Sequence, residues 1–208
     1  MADDRLPRGR GLALCVSGPS GVGKGSVIRK VMSLQPGIVH SVSVTTRPPR
    51  AGEREGVDYY FRTLAQFRKM QEEGEILESD LYCGHYYGTP RSALDNLLGQ
   101  GYDVLLDVTV SGSLSVMASY PNAVTLFLLP PAFSELQRRL ESRGTENAAA
   151  ISKRLRQARE EIGKARLFQY LVVNDDLAAA ARKLLAIIAA EHCRAERQTS
   201  LEETILAR

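Results

Sequence analysis

The chain has 208 residues, with 27 Lys and Arg against 24 Asp and Glu, a formal net charge of +3. That length suits one domain with a sizeable core and a small inserted lobe, and so slight a charge gives no argument for a nucleic-acid partner. The three cysteines, Cys15, Cys83 and Cys193, lack paired spacing, which argues against a disulfide framework or a zinc site and fits a reducing, cytoplasmic compartment.

In chain order, Met1–Arg10 is polar, lacks an apolar signal core and reads as a flexible arm. Leu12–Val16 is continuously apolar, the pattern of a strand buried on both faces. A glycine-rich turn follows, then a helix to about Ser33, stopped at Gln35-Pro36-Gly37. Val39–Val44 alternates and reads as one short strand. Thr45–Val57 is an arginine-rich loop, Tyr59–Phe61 is strand-like, and Leu64–Glu73 has helical spacing. Glu75–Glu78 and Gly84–Gly88 read as short strands or loop edges, and Pro90–Gly99 as a helix. Val104–Val108 and Ala123–Leu128 are further buried strands. Ser134–Arg143 and Asn147–Lys164 are helical, Leu171–Val173 is a short strand, and Asp176–Glu191 is an Ala- and Leu-rich helix. In the tail, Leu201–Leu206 has helix-like spacing that would suit either packing on a partner subunit or disorder. No apolar run approaches the ~20 residues needed to span a bilayer.

Alternating strands and helices predict an α/β fold, a parallel sheet flanked by helices. Residues 39–88 break the rhythm and read as an inserted lobe. The predicted organisation is therefore a domain over 11–192, with its core at 11–38, 89–133 and 161–192, and a tail over 193–208.

The most informative stretch is Gly18-Pro19-Ser20-Gly21-Val22-Gly23-Lys24-Gly25-Ser26. Strand, glycine-rich turn and helix are the context of a phosphate-binding loop. Glycines let successive N–H groups converge on one anion, and the helix adds its positive end. Lys24 can reach the outer phosphates as a mobile point charge. The position after this lysine is normally Ser or Thr, which holds magnesium; here it is Gly25, with Ser26 one place later.

A second constellation places Arg47 and Arg50 on a loop stiffened by Pro48 and Pro49. Such a pair can grip a phosphate bidentately, with tyrosine hydroxyls as neutral donors. Alone, these arginines would pass for ordinary solvated charges. The sequence Thr45-Thr46-Arg47-Pro48-Pro49-Arg50-Ala51-Gly52-Glu53 is followed by Asp58-Tyr59-Tyr60-Phe61, by Glu78, and by Gly84-His85-Tyr86-Tyr87-Gly88-Thr89. In this order the motifs closely resemble the nucleoside-monophosphate lobe of guanylate kinase. Arg139-Leu140-Glu141-Ser142-Arg143-Gly144-Thr145-Glu146 looks like that family's lid, here 134–160. Val173-Asn174-Asp175-Asp176 is similar to its adenine-side segment. The resemblance runs from about Leu12 to Ala190.

It implies phosphoryl transfer from ATP to GMP with magnesium, in purine nucleotide metabolism. Residues 18–26, Arg139 and Asn174 would bind ATP. Arg47, Arg50, Tyr59 and Tyr87 would hold the acceptor phosphate. Glu78 would read the guanine edge, with Ser43 and Thr89 as further base contacts. Lys24, Arg47, Arg143 and Arg154 would carry catalysis, the lid arginines neutralising the transferred group. Asp107, at the end of an apolar run, resembles the family's acid near the phosphates and magnesium, an indirect metal contact. The family's second acid in this segment, which helps hold the guanine amino group, is Thr109 here, a hydroxyl able to accept one hydrogen bond without charge. ATP and GMP are the expected partners, with no nucleic acid and no membrane, and the oligomeric state is left open. Two other readings are a phosphate-loop kinase with a different phosphorylated acceptor and a non-catalytic guanylate-kinase-like binding module. The retained Lys24 and the lack of an adjoining interaction domain weigh against the module.

Overall fold

The first apolar run forms β1 (Ala13–Ser17), buried along its whole length. In the computed structural model, which describes residues 10–82, 84–142, 148–198 and 201–207, α1 (Lys24–Leu34), β2 (Ile38–His40), β3 (Val44–Thr45) and β4 (Tyr60–Phe61) come next. They are followed by α2 (Leu64–Glu72), β5 (Ile76–Tyr82), β6 (His85–Pro90) and α3 (Arg91–Gly99). The second half contains β7 (Asp103–Asp107), α4 (Val110–Ser119), β8 (Val124–Leu129), α5 (Phe133–Glu141), α6 (Ala148–Gly163), β9 (Tyr170–Val173), α7 (Leu177–His192) and α8 (Leu201–Leu206). No described helix is long and apolar enough to cross a membrane.

Five strands form a parallel sheet in the order β2–β7–β1–β8–β9. Side-chain alternation along β1 serves two cores. Leu12, Leu14 and Val16 pack with Val27, Ile28 and Val31 of α1 and with Ala180, Ala181, Leu184 and Ile188 of α7. Ala13 and Cys15 face the other side, with Leu94 and Leu98 of α3 and Val116 of α4. Continuous apolarity in this strand thus reflects burial by helices on both faces, and Cys15 is a core residue whose thiol pKa burial pushes up.

A second sheet, β4–β3–β6–β5, is built from residues between β2 and α3. Here β3 and β4 are parallel, whereas β3–β6 and β5–β6 are antiparallel. The run expected as one strand over 39–44 is in fact two strands in different sheets. Ile38–His40 pairs with β7, and Val44–Thr45 pairs with β4 and β6. The Ser41 N–H still donates to Leu105 O at 2.9 Å, while Ser43 O accepts from Tyr60 N at 2.9 Å, so the chain changes sheets between them. A period of two residues is the same in either sheet, so alternation does not reveal the crossing.

Helix α4 had no counterpart in the sequence reading. Its residues, Val110-Ser111-Gly112-Ser113-Leu114-Ser115-Val116-Met117-Ala118-Ser119, include four serines and a glycine, which are poor helix formers. Packing on β1, β5 and β8 supplies what propensity lacks.

The edge of the core sheet where its strands begin is closed by side chains. Asp103 Oδ1 accepts from Leu12 N at 2.9 Å and lies 2.9 Å from His192 Nε2. Glu191, 1% exposed, accepts from the Tyr170 hydroxyl at 2.5 Å and from Arg197 Nη2 at 2.8 Å. Arg197 also donates to Asn122 O at 3.1 Å, and Gln198 Nε2 to His192 O at 2.6 Å, which ties the start of the tail to the domain.

Candidate active site

The opposite edge, where the parallel strands end, is the usual ligand face of such a sheet. Val16 of β1 lies in register with Asp107 of β7, bringing the loops after both strands together. From Ser17 the chain turns through Gly18, Gly21 and Gly23, with φ of +148°, +88° and +96°. A Cβ at Gly18 would stand 2.6 Å from Leu128 O, and one at Gly23 2.8 Å from Asn174 Nδ2. Close packing and positive φ therefore both require glycine here. Gly23 caps α1 without a side-chain hydrogen bond, and the first turn of α1 contains no acidic residue. The positive end of α1 is thus turned to the loop without an internal anion in its first turn. Lys24 Nζ donates to Gly18 O at 2.8 Å, so its ammonium rests against the loop. Ser26 is exposed, and its Oγ accepts from Arg29 Nη2 at 3.4 Å.

Two residues assigned to ATP by resemblance meet on this loop. Buried Asn174 donates from Nδ2 to Val22 O at 2.7 Å. Arg139 of α5 donates to Asn174 O from both terminal nitrogens at 3.2 Å, and from Nε to Glu135 Oε1 at 2.8 Å. Arg139 and Asn174 therefore brace the loop from outside. Arg154 is half-buried on α6, which packs against α5. Arg143 lies outside the described residues.

The arginine loop forms the second part of the site. Arg47 Nη2 contacts both carboxylate oxygens of Glu53, at 2.8 and 3.0 Å. The Arg47 guanidinium lies 5.3 Å from the Tyr59 ring centroid, and Tyr59 meets Tyr87 edge-on at 5.9 Å. Cation–π attraction and the carboxylate together fix the guanidinium plane. Arg50 is exposed, with its backbone N–H bonded to Glu53 Oε2 at 2.7 Å. Burial raises the Tyr59 pKa first; Tyr87, Glu53 and Asp107 add to the rise, whereas Arg47 opposes it. The arginine loop and the end of β7 thus lie within electrostatic reach of one another.

In the second sheet, Glu78 of β5 is 8% exposed and accepts from the Thr89 hydroxyl at 2.8 Å. Burial raises its carboxyl pKa, against the Thr89 hydrogen bond, which lowers it. A Cβ at Gly112 would stand 2.7 Å from Glu78 Oε2, so glycine lets the first turn of α4 close over the carboxylate. The Thr109 hydroxyl caps this helix by accepting from Gly112 N at 3.1 Å. Thr109 was expected near a guanine amino group; in the fold one of its two lone pairs serves α4, and its hydroxyl also lies 3.0 Å from Ser111 Oγ. Ser43 is half-buried where the chain enters β3, and Asp107 presents an exposed carboxylate at the end of β7.

One neighbour was missed. His40 ends β2 within electrostatic reach of Asp107. The surrounding protein lowers its imidazole pKa, and Asp107 partly restores it. A single histidine without ligand spacing carries no sequence signal; its place depends on β2 pairing with β7.

Known proteins resemble this chain in sequence and in fold. A family model described as guanylate kinase matches residues 10–191. A guanylate kinase of Synechococcus sp. (strain JA-3-3Ab) is 45% identical over 184 residues, covering 88% of this chain and 85% of the relative. One from Desulfitobacterium hafniense (strain Y51) is 40% identical over 193 residues, covering 93% and 96%. The crystal structure of guanylate kinase from Anaplasma phagocytophilum superposes with a TM-score of 0.78 at 33% identity, covering 98% of this chain and 97% of that one.

Proposed function

Since this chain belongs to the guanylate kinase family, we propose that it transfers the terminal phosphoryl group of ATP to GMP, giving ADP and GDP. The observation that supports this reading is the register of Val16 with Asp107, which sets the Lys24 loop after β1 beside the end of β7, together with Tyr59 of the arginine loop lying within electrostatic reach of the same Asp107. The loop amides and the positive end of α1 hold the donor phosphates. Lys24 exchanges its carbonyl partner for a phosphate oxygen, replacing a neutral acceptor by an anion. Arg47, Arg50, Tyr59 and Tyr87 hold the acceptor phosphate, and Glu78 reads the guanine edge with Ser43 and Thr89 beside it.

In the reaction the bond from the terminal phosphorus to ADP breaks, and one to a GMP phosphate oxygen forms. The acceptor is already an anion, so no strong general base is needed. Catalysis is then mostly positioning and charge stabilisation. Arg47 at the acceptor and Arg143 and Arg154 of the lid neutralise the charge that spreads over the transferred group. Arg139 and Asn174 keep the loop shaped around the donor.

Magnesium suits this donor set. No group of three or more His, Cys, Asp or Glu side chains among the described residues could hold a metal, whereas Mg²⁺ on nucleotide phosphates needs only one or two protein oxygens and its own waters. Asp107 would supply one, through water, with Ser26 beside the loop; the ion would shield charge between donor and acceptor phosphates.

The test is ADP formation from Mg-ATP with GMP, dGMP, AMP and IMP as acceptors. GMP should exceed AMP by about a hundredfold or more in kcat/KM, since adenine offers no paired donors to Glu78 and strands a buried acceptor. Equal use of AMP and GMP would contradict the guanine assignment.

A further inference from the structure

Glu53 has no role among the residues placed on either nucleotide, yet two separate donors make three contacts with its carboxylate. Its carboxylate receives Arg47 Nη2 on both oxygens, at 2.8 and 3.0 Å, and Arg50 N on Oε2 at 2.7 Å. The turn that aims it is closed by Glu53 N donating to Arg50 O at 3.1 Å, with Gly52 at φ +89°. Arg47 is further held by its own Nη1 donating to Pro48 O at 2.8 Å. A guanidinium has five N–H donors, and these contacts leave some of them over. The Arg47 and Glu53 side chains are 10% and 20% exposed, so the pair is well shielded from solvent.

We infer that Glu53 is a positioning residue for the acceptor phosphate, acting through Arg47 and the Arg50 turn. The inference rests on the reading that these two arginines bind the phosphate of GMP. Two effects of the carboxylate oppose each other. As a negative charge beside an anion site it repels a phosphate dianion. As an anchor taking Arg47 Nη2 on both oxygens it holds that guanidinium in one rotamer over Tyr59 and fixes the backbone turn at Arg50, so that Arg47 need not be ordered when the ligand arrives. The repulsion is offset by the Arg47 cation paired with the same carboxylate. Ordering Arg47 acts in full on binding. Pre-organisation therefore wins, and removing the charge weakens GMP binding instead of strengthening it.

The sign of that change is the test. GMP affinity is measured by calorimetry without ATP, and KM for both substrates in steady state, for wild type, Glu53→Gln, Arg47→Ala and the double variant. Glu53→Gln is expected to raise Kd and KM for GMP about tenfold, a displaced anchor commonly costing between ten- and a hundredfold, and to leave KM for ATP within about twofold. In the Arg47→Ala background the same change should cost about twofold or less, since its main route is gone. Unchanged or tighter GMP binding by Glu53→Gln overturns the inference. So does a tenfold loss in both backgrounds, or an equal rise in KM for ATP, either of which would mark a general structural role. If wild type itself fails to bind GMP, the acceptor reading fails, independently of Glu53.

Discussion

Glu78 and Glu191 are both nearly inaccessible, at 8% and 1% exposure, yet their carboxyl pKa values move in opposite directions. Glu78 lies in β5 of the second sheet, beneath the first turn of α4, where burial dominates and the Thr89 hydroxyl opposes it only in part. Glu191 lies on α7, at the edge where the core strands begin. Burial is again the largest influence, but Tyr170, Arg197 and Arg194 together outweigh it and hold the pKa low. Partners thus outweigh burial at Glu191 and not at Glu78. In the proposed reading Glu78 keeps acceptor capacity for a ligand, whereas Glu191 uses its own to join two parts of the fold.

The sharpest way to break this contrast is Glu78→Gln. The amide keeps the shape but loses the charge and one of the two acceptors proposed to face the guanine. A charge-assisted hydrogen bond is worth about 1.5–3 kcal/mol, so kcat/KM for GMP should fall about a hundredfold. Stability should hold or rise. The raised pKa means that the native state binds the proton more tightly than the unfolded chain, so Glu78 lowers stability as pH rises from its ordinary value through the raised one. Chemical denaturation of wild type and variant at several pH values across that window checks the sign.

Arg197→Ala is the mirror experiment. It removes a main partner of a buried carboxylate and releases Asn122 O. Breaking a buried ion pair costs roughly 3–5 kcal/mol. Tyr170 and Arg194 remain beside Glu191, so about 2–3 kcal/mol is expected in urea unfolding, with kcat and both KM values unchanged for the folded enzyme. Tyr170→Phe removes only the hydroxyl and should cost about 1–2 kcal/mol. Because the Glu191 pKa is lowered, its stabilising contribution is present above the ordinary carboxylate value and is lost as pH falls through the lowered one. The pH dependence due to Glu191 thus runs opposite to that due to Glu78. The smallest effect belongs to Ser113→Ala. Its buried hydroxyl has no hydrogen-bond partner among the described residues, so deleting it should change stability by at most about 0.5 kcal/mol, and toward greater stability.

Much of the nucleotide edge was legible in the sequence. Glycines at 18, 21 and 23 announce a loop that only they can build, and the loop lies where the apolar run of β1 predicts. The arginine loop, Glu78 and Thr89 were recognised from motif spacing, and the fold brings Glu78 and Thr89 into direct contact. What escaped was set by tertiary pairing. Helix α4 has a serine-rich sequence and is held by packing and the Thr109 cap. The split between β2 and β3 is invisible to a period of two. Glu53 is plain in its motif, but its three contacts depend on the turn at Gly52. Glu191 looked like one more acid on an Ala-rich helix, because Tyr170 and Arg197 reach it only once β9 and the tail have docked.

The most direct test of this account measures GMP turnover and unfolding free energy together for wild type and Glu78→Gln at neutral pH. The account predicts a variant at least as stable as wild type, with kcat/KM for GMP lower by about a hundredfold and KM for ATP unchanged. A variant that is less stable than wild type and turns over GMP normally would contradict it, because Glu78 would then be a structural carboxylate like Glu191.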